Sequence, residues 1–129
     1  MRIEHIAIWT GDLERLKSFY ENWFGAKSDD KYTNSAKGYK SCFLNFASGA
    51  RMEIMKRVDI VSSAAEESVP LAGYAHTAFS MGSREGVDEM TGRMREAGVK
   101  VVDGPRTTGD GYYESVILDP DGNRVEITI

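Results

Sequence analysis

Several features are scarce in this sequence, and each scarcity excludes a class of protein. A single cysteine, Cys42, cannot form a disulfide within the chain, which predicts a reducing, cytoplasmic location. The longest apolar run, Ile6–Trp9, is far shorter than the ~20 residues of a membrane-spanning helix. The amino terminus also lacks the apolar stretch of a signal peptide. Basic runs are missing and the net charge is −4, so nucleic acid is not an expected partner.

The residues that are present indicate one folded domain built from two similar halves. The chain has 129 residues, of which 41% are hydrophobic and 28% charged, as is typical of a globular domain. Two hairpins share their letters: Gly-Ala-Arg-Met-Glu-Ile starts at Gly49, and Gly-Asn-Arg-Val-Glu-Ile starts at Gly122. Such self-similarity indicates a duplicated βαβββ unit and an α+β fold. The predicted organisation is one domain made of repeat 1–57, linker 58–71 and repeat 72–129.

The pattern of apolar residues predicts the elements of each half. Strands are predicted at 2–9, 26–32, 39–46 and 51–57 in the first repeat, and at 74–81, 99–102, 113–118 and 124–129 in the second. One helix is predicted to begin at the cap Asp12 and to end at Gly25, and the other to begin at the cap Ser83 and to end at Gly98. The apolar stripe that each helix is predicted to bury is Leu13, Leu16, Tyr20 and Trp23 in the first and Val87, Met90, Met94 and Ala97 in the second. The run Asp119–Asn123 is predicted to be a hairpin turn and not a calcium loop, because its glycine falls at the wrong place.

Both histidines of the chain lie on the first strand of a repeat, and a glutamate lies on each hairpin return strand. Strand alternation turns His5, His76, Glu53 and Glu126 away from the apolar faces that would seat the helices. A lone histidine on a strand is usually a packing residue, and a lone glutamate usually faces solvent. Four such residues at matching positions favour a metal site instead, because a divalent cation offsets the cost of unpaired carboxylates. Two imidazoles and two carboxylates suit Zn²⁺, Ni²⁺, Co²⁺ or Fe²⁺.

With these residues the chain resembles the vicinal oxygen chelate (glyoxalase/bleomycin resistance/dioxygenase) superfamily, and within it the glyoxalase I (lactoylglutathione lyase) branch. The resemblance spans essentially the whole chain. It rests on His5 in Glu-His-Ile-Ala-Ile, Glu53 in Arg-Met-Glu-Ile, His76 in Ala-His-Thr-Ala and Glu126 in Asp-Pro-Asp-Gly-Asn-Arg-Val-Glu-Ile. It implies a curved, barrel-like mixed sheet with helices on the outer face, and these four residues as metal ligands. The implied metal is Ni²⁺ or Zn²⁺, with Co²⁺, Fe²⁺ or Mn²⁺ as alternatives.

The resemblance also implies an activity. The expected reaction is that of a metal-dependent lyase or isomerase, which moves a proton through a metal-stabilised enediolate on a small 2-oxoaldehyde–thiol adduct or a related compound. Glu126 is the expected base and Glu53 the mirror candidate. Two alternatives stay open: a non-catalytic protein that binds a small molecule or drug and confers resistance, and an epimerase or dioxygenase on the same fold.

The predicted substrate contacts depart from the family pattern. Glyoxalase I typically has an Arg at the end of its first strand and an Asn just after its second ligand, both touching the glutamyl group of glutathione. Trp9 and Arg57 stand at these positions here, which leaves the identity of the thiol open. Arg106 is a candidate to bind a substrate carboxylate, or else an exposed arginine. Tyr112 belongs to a loop that is either a lid over the site or an ordinary turn.

The resemblance implies a homodimer with metal sites at the interface between the chains. In that arrangement His5 and Glu53 come from one chain, and His76 and Glu126 come from the other. The sequence itself leaves open whether one chain or two builds each site.

Overall fold

The computed structural model describes residues 1–60 and 73–129 of the chain. It contains two compact units, Met1–Ser63 and Ala64–Ile129, and each unit carries one repeat. Each unit combines a sheet with one α-helix, which confirms the predicted α+β class. The predicted linker 58–71 lies mostly outside the described residues, so the single-domain organisation stays a prediction.

The first unit contains five strands and one α-helix. Its elements are β1 (His5–Trp9), α1 (Leu13–Phe24), β2 (Lys27–Ser28), β3 (Tyr32–Asn34), a 3₁₀ turn (Ser35–Lys37), β4 (Tyr39–Asn45) and β5 (Arg51–Arg57). The strand order is β1-β5-β4-β2, and β3 also pairs with β4. Strand β1 runs parallel to β5, while the other pairs are antiparallel.

The second unit repeats this plan with four strands. Its elements are β6 (Thr77–Ser80), α2 (Arg84–Glu96), β7 (Val101–Thr107), β8 (Tyr113–Leu118) and β9 (Arg124–Thr128). The strand order is β6-β9-β8-β7, with β6 parallel to β9 and the other pairs antiparallel. In both units the first strand is therefore an edge strand that lies beside the last strand of the repeat.

Local capping fixes where the helices begin and where the first one ends. The side chain of Asp12 accepts a hydrogen bond from the backbone N–H of Arg15 at 3.1 Å, and Ser83 accepts one from Gly86 at 3.1 Å. Helix α1 ends at Gly25, whose φ of 62° lies in the left-handed region that glycine adopts without strain. These three predicted caps are confirmed.

The buried stripe of α2 differs from the predicted one. Val87 and Met94 are fully buried, but Met90 is only half-buried and Ala97 is exposed. The helix instead buries Thr91, whose hydroxyl hydrogen-bonds Ser115 on β8 at 2.6 Å. A satisfied polar pair therefore lies at the contact between this helix and its sheet.

Each helix covers one face of its own sheet and leaves the other face open. In β5 the side chains of Met52 and Ile54 are buried, and in β9 those of Val125 and Ile127 are buried. The residues between them point to the opposite face. The predicted alternation is confirmed, and it places a glutamate on the open face of each unit.

Four strand predictions need correction. The predicted strand 2–9 is only His5–Trp9. The predicted strand 26–32 is replaced by the short strands β2 and β3, which form where they meet β4. The predicted strand 74–81 is only Thr77–Ser80, so His76 lies just before the strand. The predicted strand 99–102 begins two residues later and continues to Thr107, so Arg106 lies on a strand. Pro105 is tolerated there because β7 is an edge strand whose pairing with β8 has register shifts.

Neither described helix is long and apolar enough to cross a membrane.

Candidate metal and substrate site

The histidine and glutamate of each unit occupy equivalent places on its open face. In the first sheet Ala7 pairs with Glu53, and His5 lies two residues before Ala7. In the second sheet Ala78 pairs with Glu126, and His76 lies two residues before Ala78. Each histidine is therefore the diagonal neighbour of its glutamate across a parallel strand pair.

In the second unit the histidine and the glutamate are in contact. His76 Nε2 lies 3.2 Å from Glu126 Oε2, with the imidazole 41% and the carboxylate 19% exposed. A partly covered carboxylate and a neighbouring imidazole thus converge on one point of the open face. The structure brings these two predicted ligands together.

In the first unit the histidine is held by a different carboxylate. His5 Nδ1 lies 2.5 Å from Glu4 Oε2, and Glu4 Oε1 accepts a hydrogen bond from Arg51 Nε at 2.8 Å. The hydrogen bonds from His5 and Arg51 lower the pKa of Glu4, so Glu4 is an ionised acceptor. Nδ1 of His5 is then the donor, which leaves Nε2 as the nitrogen free to bind a metal.

The carboxylate of Glu53 is oriented by a tyrosine. Tyr39 on β4 donates its hydroxyl hydrogen to Glu53 Oε1 at 3.1 Å. Burial, together with the negative charge of Glu53, raises the pKa of Tyr39, so the phenol keeps its proton. The structure does not place His5 and Glu53 in contact, and each has its own partner.

A second carboxylate lies near the histidine–glutamate pair of the second unit. Glu114 on β8 is 12% exposed, and burial together with the charge of Glu126 raises its pKa. The positive charge of Arg106, whose Nη2 lies 3.8 Å from Glu114 Oε1, opposes this rise in the pKa. Arg106 Nε also donates a hydrogen bond to Asp103 Oδ2 at 2.7 Å. Glu114 was not predicted as a site residue, although the alternation of side chains along the predicted strand 113–118 places it on the open face.

The remaining predicted substrate contacts fall in different places. The Arg57 guanidinium carbon lies 5.3 Å from the centre of the Trp9 ring, so these two residues meet. Arg106 is engaged by carboxylates of its own unit. Tyr112 lies in the turn between β7 and β8, with 53% of its surface exposed, and its carbonyl accepts a hydrogen bond from Thr108 at 2.8 Å.

Within residues 1–60 and 73–129 no three His, Cys, Asp or Glu side chains converge closely enough to hold a metal ion. Each unit presents two predicted ligands on its open face.

Comparison with protein-family models identifies one family. The family model described as Glyoxalase/Bleomycin resistance protein/Dioxygenase superfamily matches residues 2–127. A curated relative, the metallothiol transferase FosB of Lysinibacillus sphaericus (strain C3-41), is 27% identical over 124 residues, which is 96% of this chain and 79% of that protein.

Solved structures show the same fold. The trypanothione-dependent glyoxalase I of Leishmania major matches with a TM-score of 0.77 and 25% identity, covering 99% of this chain and 86% of that one. A glyoxalase family protein from Enterococcus faecalis matches with a TM-score of 0.81 and 20% identity, covering 99% of this chain and 97% of that one.

Proposed function

This chain belongs to the glyoxalase/bleomycin resistance protein/dioxygenase superfamily, and on that premise we propose that it is a metal-dependent lyase or isomerase of the glyoxalase I kind. Its substrate is a small 2-oxoaldehyde–thiol adduct or a related α-hydroxycarbonyl compound. The observation that carries this proposal is the equivalent placement of one histidine and one glutamate on the open face of each sheet.

The residues fit a divalent metal. Two ligands at about 2.1 Å from one ion are about 3.0–3.4 Å apart for the angles of octahedral and tetrahedral sites. The 3.2 Å between His76 Nε2 and Glu126 Oε2 lies in this range. We assign His5, Glu53, His76 and Glu126 as ligands of Ni²⁺ or Zn²⁺, with Co²⁺, Fe²⁺ or Mn²⁺ as alternatives. When bound, the cation supplies Lewis-acid stabilisation of the negative charge that develops on the substrate oxygens.

We assign the proton transfer to Glu126. Its carboxylate removes the proton from one carbon of the substrate and returns it to the adjacent carbon. Glu53 is the mirror candidate, but the hydrogen bond from Tyr39 restrains one of its oxygens, which suits a ligand better than a moving base. Trp9 and Arg57 contact the thiol half of the substrate in this proposal. Arg106 and Tyr112 are the further candidate contacts.

Turnover with defined thiols and metals tests this function. The metal-stripped protein is reloaded with each candidate ion and assayed with methylglyoxal and glutathione, cysteine or other small thiols by the absorbance of the thioester product. We expect activity with at least one pair, and a fall of at least about 100-fold in Glu126→Gln. Glu89→Gln, on the exposed side of α2, is the matched control. No turnover with any pair, or full activity of Glu126→Gln, would overturn the proposal.

A thiol transferase is the second candidate, because the relative from Lysinibacillus sphaericus carries that name. It joins the thiol to an electrophile and performs no internal proton shift. A deuterium label on the aldehyde carbon of the substrate therefore separates the two, because only the lyase or isomerase moves the label to the adjacent carbon or loses it to solvent. Metal content separates a non-catalytic drug-binding protein from these enzymes and from an epimerase or dioxygenase on the same fold. A stoichiometric divalent ion in protein purified without chelator supports an enzyme, and metal-free protein with a tightly bound ligand supports the binder.

The proposed setting is a cytoplasmic homodimer with metal sites between the chains and a small molecule as the partner. The lone Cys42 is buried, as suits a thiol in a reducing compartment.

A further inference from the structure

The first unit contains a cavity of about 310 Å³ on its open face. It is lined by three aromatic residues, two cations and one amide. These are Trp9, Tyr32, Asn34, Lys37, Tyr39 and Arg57. Its volume lies at the lower end of the range for small-molecule sites.

The walls of this cavity are aromatic side chains that solvent reaches. Trp9 is 40% exposed and Tyr32 is 57% exposed. The Tyr39 ring lies between them, with ring centres 6.2 Å from Trp9 and 6.1 Å from Tyr32. Exposed aromatic surface gathered around a concavity marks a binding site more often than it occurs by chance.

The rim of the cavity is positively charged. Arg57 Nε donates a hydrogen bond to Asp59 Oδ1 at 2.5 Å, but both side chains are exposed, so this ion pair is weak. Within the described residues no carboxylate pairs with the ammonium group of Lys37. Lys37, Arg57 and Asp59 together leave one positive charge at the rim. An aromatic cage for a cation is disfavoured, because Arg57 already stacks on Trp9 and both basic groups repel a cation.

The cavity is linked to a proposed metal ligand. Tyr39 lines the cavity with its ring and donates its hydroxyl hydrogen to Glu53. A ligand that packs against Tyr39 therefore lies one hydrogen bond from Glu53. The cavity is placed to hold the part of a substrate that does not react.

We propose that this cavity binds an organic anion, a carboxylate or phosphate group carried on a flat apolar body. The anion meets Lys37 and Arg57, and the apolar body packs on Trp9, Tyr32 and Tyr39. Resting on the proposed function, this makes the thiol half of the substrate an anion with a flat apolar part.

A binding titration that needs no turnover tests this proposal. The full-length Trp23→Phe variant leaves Trp9 as the sole tryptophan, and its fluorescence reports on the cavity. The probes are 3-phenylpropionate, phenyl phosphate, the neutral 3-phenylpropanamide, phenethylammonium and acetate. Calorimetry on the unmodified protein repeats each titration without the substitution.

We expect saturable binding of at least one of the two aromatic anions, and the tighter of the two identifies the anionic group. The amide, the ammonium compound and acetate should each bind at least about tenfold more weakly. Lys37→Gln and Arg57→Gln should each weaken the anion about fivefold or more. Lys56→Gln removes the same charge from the other face of β5, so its Kd for the anion should stay within about twofold of the unmodified value.

Equal binding of the amide and the carboxylate, or equal losses in Lys56→Gln and Lys37→Gln, would overturn the proposal. So would the absence of saturable binding by both methods. Anion binding in a protein that lacks thiol-dependent turnover would overturn the proposed function and leave this proposal standing. Turnover without anion binding would overturn this proposal and leave the proposed function standing.

Discussion

Asp119 is a single buried carboxylate that holds the turn between β8 and β9 together. It is 4% exposed, and its Oδ1 accepts hydrogen bonds from the backbone N–H groups of Asp121 and Asn123, each at 2.9 Å. Its Oδ2 accepts a third bond, from the Asn123 side chain, at 2.9 Å. This turn leads into β9 and so sets the register that places Glu126.

Removing this carboxylate should destabilise the protein strongly. Asp119→Ala leaves two turn N–H groups without their acceptor, and we expect a loss of about 2–4 kcal/mol in the free energy of unfolding. Asn123→Ala removes only the side-chain bond and should cost about 1 kcal/mol. Urea unfolding measures both. Equal costs would show that the backbone bonds of Asp119 contribute little.

Glu114 makes stability depend on pH. Because its pKa is raised, the folded protein binds this proton more tightly than the unfolded chain does. Its contribution is therefore present below the unfolded pKa and is lost as the pH rises through the folded pKa. Glu114→Gln should raise the Tm by about one to three degrees at pH 7.5 and have no such effect near pH 3.5.

Thermal unfolding in the presence of a chelator checks this, since a bound metal would otherwise dominate the charge balance near Glu126. A lower Tm for Glu114→Gln at pH 7.5 would mean that the attraction to Arg106 outweighs burial and the charge of Glu126.

Among the elements, the paired strands β7 and β8 show the clearest steric constraint. Gly104 has a φ of 76°, and a Cβ there would lie 2.5 Å from the carbonyl oxygen of Glu114 and 2.9 Å from the Cα of Ser115. Both obstacles are backbone atoms, which cannot rotate aside. The close approach lies where the pairing of the two strands changes register.

Gly104→Ala should therefore cost at least about 2 kcal/mol in the free energy of unfolding, through the clash and the unfavourable φ together. Gly109→Ala is the matched control, because nothing lies within 4 Å of its added Cβ. That substitution should change stability by no more than about 0.5 kcal/mol. Similar losses in both variants would contradict the steric explanation.

The elements that local chemistry determines were predictable from the sequence. Asp12, Ser83 and Gly25 act through hydrogen bonds or a backbone conformation within a few residues, and strand alternation alone placed Glu53 on the open face. Strand β3 was not predicted, because pairing with β4 defines it and not its own apolar pattern. The turn that carries Lys37 was also missed, although its caps are local: the Asn34 side chain accepts a hydrogen bond from the backbone N–H of Lys37, and Gly38 ends the turn in the left-handed conformation. Lys37, the other cation at the rim of the cavity, was missed because the pairing of β3 and β5 with β4 brings its turn beside Arg57.

At the scale of the whole molecule, the duplicated unit restricts how a complete site can be built. Each unit contributes one histidine and one glutamate at equivalent positions, and the proposed metal has four protein ligands. In the proposed site, the pair His5 and Glu53 would therefore meet a pair equivalent to His76 and Glu126. That second pair comes from the same chain or from the partner of a homodimer, and the proposed arrangement is the latter.

Mixing two inactive variants tests this sharing. In His5→Ala every shared site lacks one ligand, and in His76→Ala every shared site lacks another. A heterodimer of the two has one site with both defects and one with all four ligands. After a 1:1 mixture has exchanged subunits, half the dimers are mixed, so about a quarter of the wild-type metal binding and activity should return.

A mixture of His5→Ala with Glu53→Gln is the control, because both changes lie in the first unit and no intact site can form. Recovery in the first mixture alone supports sites shared between chains. If subunit exchange is confirmed by mass spectrometry and neither mixture recovers, each chain builds its own site.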